Sequence, residues 1–183
     1  EKVIQYADTL LTPFPNEKIL ILKSSYDKNP FYGLSQLQTE VKISKNKKIN
    51  LKFFSDTFFY EIKILKAYFE RYINQTLAID KRKNHWIIGG LHTYSMIKYI
   101  NDFYPEQKFL GKIAEFKILN QTLLKNYSIA KLGFNDAYEF IYEFAENSNI
   151  HQIDMQSKDK LSKFNEKIAS PNHVGVGLRY IES

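Results

Sequence analysis

The strongest helical periodicity in the chain lies between Ser55 and Ile79, and it limits what the remaining residues can fold into. Phe58, Ile62, Leu65, Phe69 and Tyr72 recur at steps of three and four, which on a 3.6-residue helix makes one apolar stripe. Ser55 or Asp56 supplies the N-cap. Lys66 and Glu70, one turn apart, are expected on the outer face. The stripe has to be covered, and the residues just before it offer a cover.

Those residues have a period of two. Leu37, Thr39, Val41 and Ile43 alternate with Gln38, Glu40, Lys42 and Ser44, and Ile49, Leu51 and Phe53 alternate with Asn50 and Lys52. The short polar connection Lys45-Asn46-Lys47 joins the two runs, so a hairpin is expected over 37–44 and 48–54. Upstream, Val3, Ile4, Ala7, Leu10 and Leu11 have helical spacing until Pro13 and Pro15 stop them. Residues 18–23 read as a brief buried strand, followed by a loop with Asn29-Pro30 and Gly33.

Downstream, the charged run 80–84 breaks the chain, and Trp86-Ile87-Ile88 before Gly89-Gly90 reads as a short strand or buried turn. Helices are expected over 93–103 with Met96, Ile97, Ile100 and Phe103 inward, and over 136–146 with Ala137, Phe140, Ile141 and Phe144 inward. A last helix over 157–169 carries Leu161, Phe164 and Ile168 and is broken by Pro171-Asn172. In 173–181, Val174, Val176, Leu178 and Tyr180 alternate with small or polar residues, the pattern of a strand. The fold class expected is therefore α+β, a small antiparallel sheet of the N-terminal hairpin and the C-terminal strand packed with about five helices. With 183 residues and 44% apolar content this makes one compact domain, any division into lobes falling between 84 and 85.

Composition excludes some chemistry. There is no cysteine, so disulfides, thiolate nucleophiles and Cys-ligated zinc are absent. No apolar run approaches the roughly 20 residues of a spanning helix, so no transmembrane segment is expected. The balance of 26 Lys+Arg against 20 Asp+Glu, +6 in all, suits DNA, another polyanion, an anionic surface or an acidic protein. The chain opens on Glu1. A cytoplasmic location is expected if it binds DNA, and export if Glu1 follows a cleaved signal peptide.

The segment 108–131 carries the clearest functional pattern, two short helices across a tight turn. Ile113-Ala114 supplies an apolar–small pair, Leu119-Asn120 the turn and cap, and Leu123, Leu124 and Tyr127 the inward face of the second helix. Gln121, Thr122, Lys125 and Asn126 face outward and are residue types that reach phosphates and base edges. The run MIKYINDFYPEQKFLGKIAEF resembles the first helices of AraC-type DNA-binding domains, where a YI-containing helix precedes L-x-x-I-A. Ile118 stands where such domains have the turn glycine, and no second helix-turn-helix follows, so membership is not claimed. Lys45, Lys47 and Lys48 at the hairpin turn, with Lys42 and Lys52, form a basic cluster that attracts phosphate backbones or guards an edge strand. Lys81, Arg82 and Lys83 form another such group.

Enzymatic patterns are weaker. Asp27 followed by Glu40-Val41-Lys42 fits a metal-dependent nuclease motif, as do Glu61-Ile62-Lys63 and Glu115-Phe116-Lys117, but lysine-rich chains produce such tripeptides by chance. Glu40 and Lys42 read as solvated cross-strand partners. His85, His92, His151 and His173 form no HExxH or i, i+4 pair, and a zinc site of His plus Asp would have to be assembled by folding. Gly89-Gly90 and Gly175-x-Gly177 lack the context of a phosphate loop, and read as places of close approach. The function expected is a non-enzymatic module for an anionic partner, most concretely DNA, with no cofactor. An exported or surface protein-interaction domain is the alternative, and a metal-dependent nuclease the second alternative.

Overall fold

The computed structural model describes residues 1–12, 14, 20, 38–44, 47–52, 55–110, 117–118, 121–122 and 131–182; for 38–44, 47–52, 117–118 and 121–122 it describes the backbone alone. The helices are α1 (Lys2–Leu10), α2 (Asp56–Thr76), α3 (His85–Phe103), α4 (Asp136–Asn147) and α5 (Ser170–Glu182). A 3-10 turn, Lys158–Lys160, and a π segment, Asn165–Ala169, lie between α4 and α5.

The α2 stripe forms the centre of the core. Phe58, Ile62 and Leu65 are fully buried, and Phe69 and Tyr72 nearly so. The Ser55 hydroxyl caps the helix by accepting from the Phe58 N–H at 3.2 Å. Met96, Ile97, Tyr99 and Ile100 of α3 and Val3 and Ala7 of α1 pack with this stripe in one core. Tyrosines stitch the layers together: Tyr68 donates to Asp8 at 2.6 Å and Tyr6 to Asp102 at 2.8 Å. Among the described residues no helix is long and apolar enough to cross a membrane.

The α+β expectation is overturned. Among the described residues the packed body is helical and no sheet joins the two ends of the chain, because residues 173–181 lie within helix α5. Within the described residues, β1 (Gln38–Ser44) and β2 (Lys47–Lys52) form a two-stranded antiparallel ladder, and β3 (Lys117–Ile118) and β4 (Gln121–Thr122) a shorter one. The strand reading of the C-terminus counted large apolar residues. Burial instead follows helical spacing: Asn172, Gly175 and Val176, three and four apart, are buried, and Val174 packs on Gly90 of α3. A Cβ on Gly175 would lie 2.6 Å from Thr93, so the missing side chain is what brings the helices together.

Other expectations are corrected as well. Gly89 and Gly90 lie inside α3, where a strand or turn was expected, with Pro171 and Val174 of α5 occupying the space their side chains would take. Pro171 does not end a helix. It is the second residue of α5, which follows the π segment Asn165–Ala169 directly. Phe140 and Phe144 of α4, expected inward, are more than half exposed, because Ala137, Tyr138 and Ala145 face the core. Phe103 is also partly exposed, with the Lys2 ammonium 4.1 Å from its ring centre.

Candidate functional site

Lys66 is the first departure at the level of a site. Expected on the outer face of α2, it is only 4% exposed and sits in the floor of a cavity of about 480 Å³. The floor also holds His92 and Thr93 of α3, both buried. Burial, with the nearby Lys167 charge, pulls the Lys66 ammonium down to about 8 against the opposing pull of Glu70. Burial and the Lys66 charge push the His92 imidazole down to about 3, so the ring is neutral, and its Nε2 has no hydrogen-bond partner.

The rim is cationic. Lys81, Lys158, Lys163 and Lys167 are exposed around the mouth, and the acidic groups in the lining are Glu70 and Glu166. Glu166 is already neutralised by Lys158 at 3.0 Å and Lys163 at 2.7 Å. Burial alone would raise its pKa, but hydrogen bonds from those two lysines lower it overall. Five lysines against two glutamates leave the lining three charges positive. His85, the first residue of α3, completes the wall. Burial holds its imidazole below the ordinary value, against a contact with the Arg82 backbone that favours the charged form.

Beside the cavity, folding assembles a second group from three places in the chain. Helix α4 ends at Asn147, and Asn149 adopts a left-handed φ of 53°, which asparagine tolerates. The chain doubles back so that the Ile150 and His151 N–H groups donate to the Ala145 carbonyl, at 3.0 and 3.2 Å. Buried Asn165 fixes the next stretch, donating to the Ile150 carbonyl and accepting from the Gln152 N–H, each at 2.8 Å. This places His151 and Asp154 opposite His173, in the first turns of α5.

The Asp154 carboxylate bridges the two rings. His151 Nε2 lies 3.2 Å from Oδ1, and His173 Nδ1 lies 2.5 Å from Oδ2. One ligand atom from each of the three residues lies within 4.8 Å of the others. Tyr142 of α4 stacks flat on His173, ring centres 4.4 Å apart, and meets His151 edge-on. His173 directly follows Asn172, a residue of the cavity lining, so the cluster adjoins the cavity wall.

The chain matches no family model, no curated protein and no solved structure. The site therefore rests on its own geometry.

Of the residues expected to touch nucleic acid, the structure describes the backbone of Gln121, Thr122, Lys47 and Lys48. Gln121 and Thr122, expected to open a second helix, are extended and pair with Thr122 opposite Lys117 and Gln121 opposite Ile118. A two-residue connection carrying Asn120, flanked by Ile118 and Thr122, suits a hairpin as well as a helix cap. Lys125, Asn126 and Lys45 lie outside the described residues, as does Asp27. Lys47 and Lys48 are on the backbone of β2, Lys48 opposite Lys42, and Glu40 is opposite Asn50. Glu61 of the second Glu-x-Lys match is occupied in the core by Tyr99, Tyr104 and Lys2. All four histidines read from the sequence as structural or exposed. That reading missed the convergence of His151 and His173, for which the only local signal was His151-x-x-Asp154.

Proposed function

We propose that this protein is a helical binding domain for a small anionic ligand, of the phosphate or polycarboxylate class, held in the cavity bounded by α2, α3, α4 and the segment leading into α5. The observation that carries the reading is the lysine excess of the lining, with Lys66 in the floor and four lysines at the rim. A cavity near 480 Å³ is of the size that encloses a small molecule. It is too small and too concave for a duplex, which is read by an element that protrudes into a groove. Cations held in low-dielectric surroundings focus the potential on an entering anion.

The test is calorimetric titration of the protein with pyrophosphate, beside a short DNA duplex. Saturable binding of one pyrophosphate is expected, falling at least tenfold in Lys66→Met and in the exposed variant Lys167→Glu, the latter leaving the core untouched. Equal affinity in both variants, or binding of the duplex alone, overturns the reading.

A further inference from the structure

The His151–Asp154–His173 cluster has a donor set that the anionic cavity does not use. Two imidazoles and a carboxylate suit borderline first-row cations better than Ca²⁺ or Mg²⁺, which prefer all-oxygen shells. We propose that His151 Nε2, His173 Nδ1 and an Asp154 carboxylate oxygen form a binding site for a divalent transition metal of the Zn²⁺ type, with its fourth position open. The proposal is independent of the anionic-ligand reading.

The geometry supports it in three respects. Tetrahedral coordination at 2.0–2.2 Å sets neighbouring ligand atoms about 3.3 Å apart, and His151 Nε2 with Asp154 Oδ1, 3.2 Å apart, already has that spacing; His173 Nδ1 faces the other oxygen, Oδ2. Bringing the remaining atom in from at most 4.8 Å takes a side-chain rotation. His173 is the most exposed of the three side chains, at 42% against 15% and 14%, and so is the freest to make it. Secondly, the two rings are gathered around Tyr142. Tyr142 lies parallel to His173 at 3° and nearly perpendicular to His151 at 88°, and the two imidazoles stand at 90° to each other. Thirdly, the backbone carrying His151 and Asp154 is anchored by buried Asn165, so a metal would order little that is not already ordered.

Each ring can offer a lone pair at the nitrogen facing Asp154 once its proton sits on the other nitrogen, so neutral imidazole ligates without a net change in ring charge. Asp154 then exchanges two hydrogen bonds to the rings for a bond to the metal. Without metal the same three residues are a hydrogen-bonded bridge between α5 and the 150–154 turn. The two roles differ in what they do to added cation.

Untagged, chelator-treated protein is titrated with Zn²⁺ by calorimetry and with Co²⁺ by visible absorption. One equivalent is expected, with the intense ligand-field bands of four-coordinate Co²⁺, and at least tenfold weaker binding in Asp154→Asn and His173→Ala. Circular dichroism confirms that both variants are folded, and a His85→Gln variant that binds as the wild type assigns the ion to this cluster. Absence of stoichiometric binding overturns the proposal, and so does unchanged affinity in Asp154→Asn and His173→Ala. The metal and pyrophosphate titrations are separate measurements, so failure of one is distinguishable from failure of the other.

Discussion

Glu61 shows how much a single side chain carries in this molecule. Its Oε2 accepts from the Tyr99 hydroxyl at 2.7 Å, the Tyr104 hydroxyl at 2.5 Å and the Lys2 ammonium at 3.2 Å. Burial alone would raise its pKa, but hydrogen bonds from Tyr104, Tyr99 and Lys2 outweigh it, and the carboxyl is held below its ordinary range. The carboxylate thus joins α1, α2 and the end of α3. Removing it orphans two part-buried hydroxyls, each costing about 1–3 kcal/mol. Glu61→Ala is expected to lose at least about 2 kcal/mol in urea unfolding, and Glu61→Gln, which keeps an acceptor, about half that. Equal stability of Glu61→Ala and wild type would show that the hydroxyls find other partners. Sequence alone marked Glu61 only as one of three chance Glu-x-Lys matches. The aromatic partners come from positions 38 and 43 residues away, which no local pattern reveals.

At the scale of elements, the α3–α5 crossing rests on glycines whose roles differ. Gly175 packs against Thr93 and the Tyr94 backbone, and Gly90 against Val174, whereas Gly177 has nothing within 4 Å of where its Cβ would be. Gly175→Ala is expected to destabilise by about 1–3 kcal/mol, because an added methyl in a closed contact pushes rigid neighbours. Gly177→Ala is expected to stabilise by up to about 1 kcal/mol, since alanine is the better helix former and meets no obstacle. Thermal unfolding of the pair checks both, and two changes of the same sign would contradict the crossing. From the sequence, Gly175 and Gly177 read together as points of close approach in a strand. Close approach holds for Gly175, but in a helix. The error arose because a face built from small residues has no apolar periodicity to detect, while Val174, Val176 and Leu178 mimic alternation.

For the molecule as a whole, charge burial sets a pH profile. The Lys66 ammonium titrates near 8 when folded and at 10.5 in its ordinary state, so above pH 8 the unfolded chain holds the extra proton and stability rises with pH. Each pH step of one between those two values contributes about 1.4 kcal/mol, so the gain is on the order of 3 kcal/mol at most. Tyr6, Tyr68, Tyr99 and Tyr104 work the other way. Burial, then hydrogen bonds to carboxylates, raises each above its ordinary 10.0, so above pH 10 the folded state holds more protons and stability falls. Denaturant unfolding between pH 7 and 11 is expected to show a maximum near pH 10, lost in Lys66→Met. A profile that declines steadily from pH 8 would remove Lys66 from the protein interior.

The sequence by itself determined the local elements with strong, one-sided patterns. The stripe from Phe58 to Tyr72 with its Ser55 cap, and the inward set Met96, Ile97 and Ile100, follow from periodicity and capping, which act within a few residues. Tertiary structure alone decided whether the C-terminus is strand or helix, because small residues gain their meaning from the neighbour that fills the space beside them. It also decided that Lys66 turns inward and that His151, Asp154 and His173 meet. Those placements depend on the long-range approach of helices, and the energy that favours them lies between segments, where no single stretch of sequence records it.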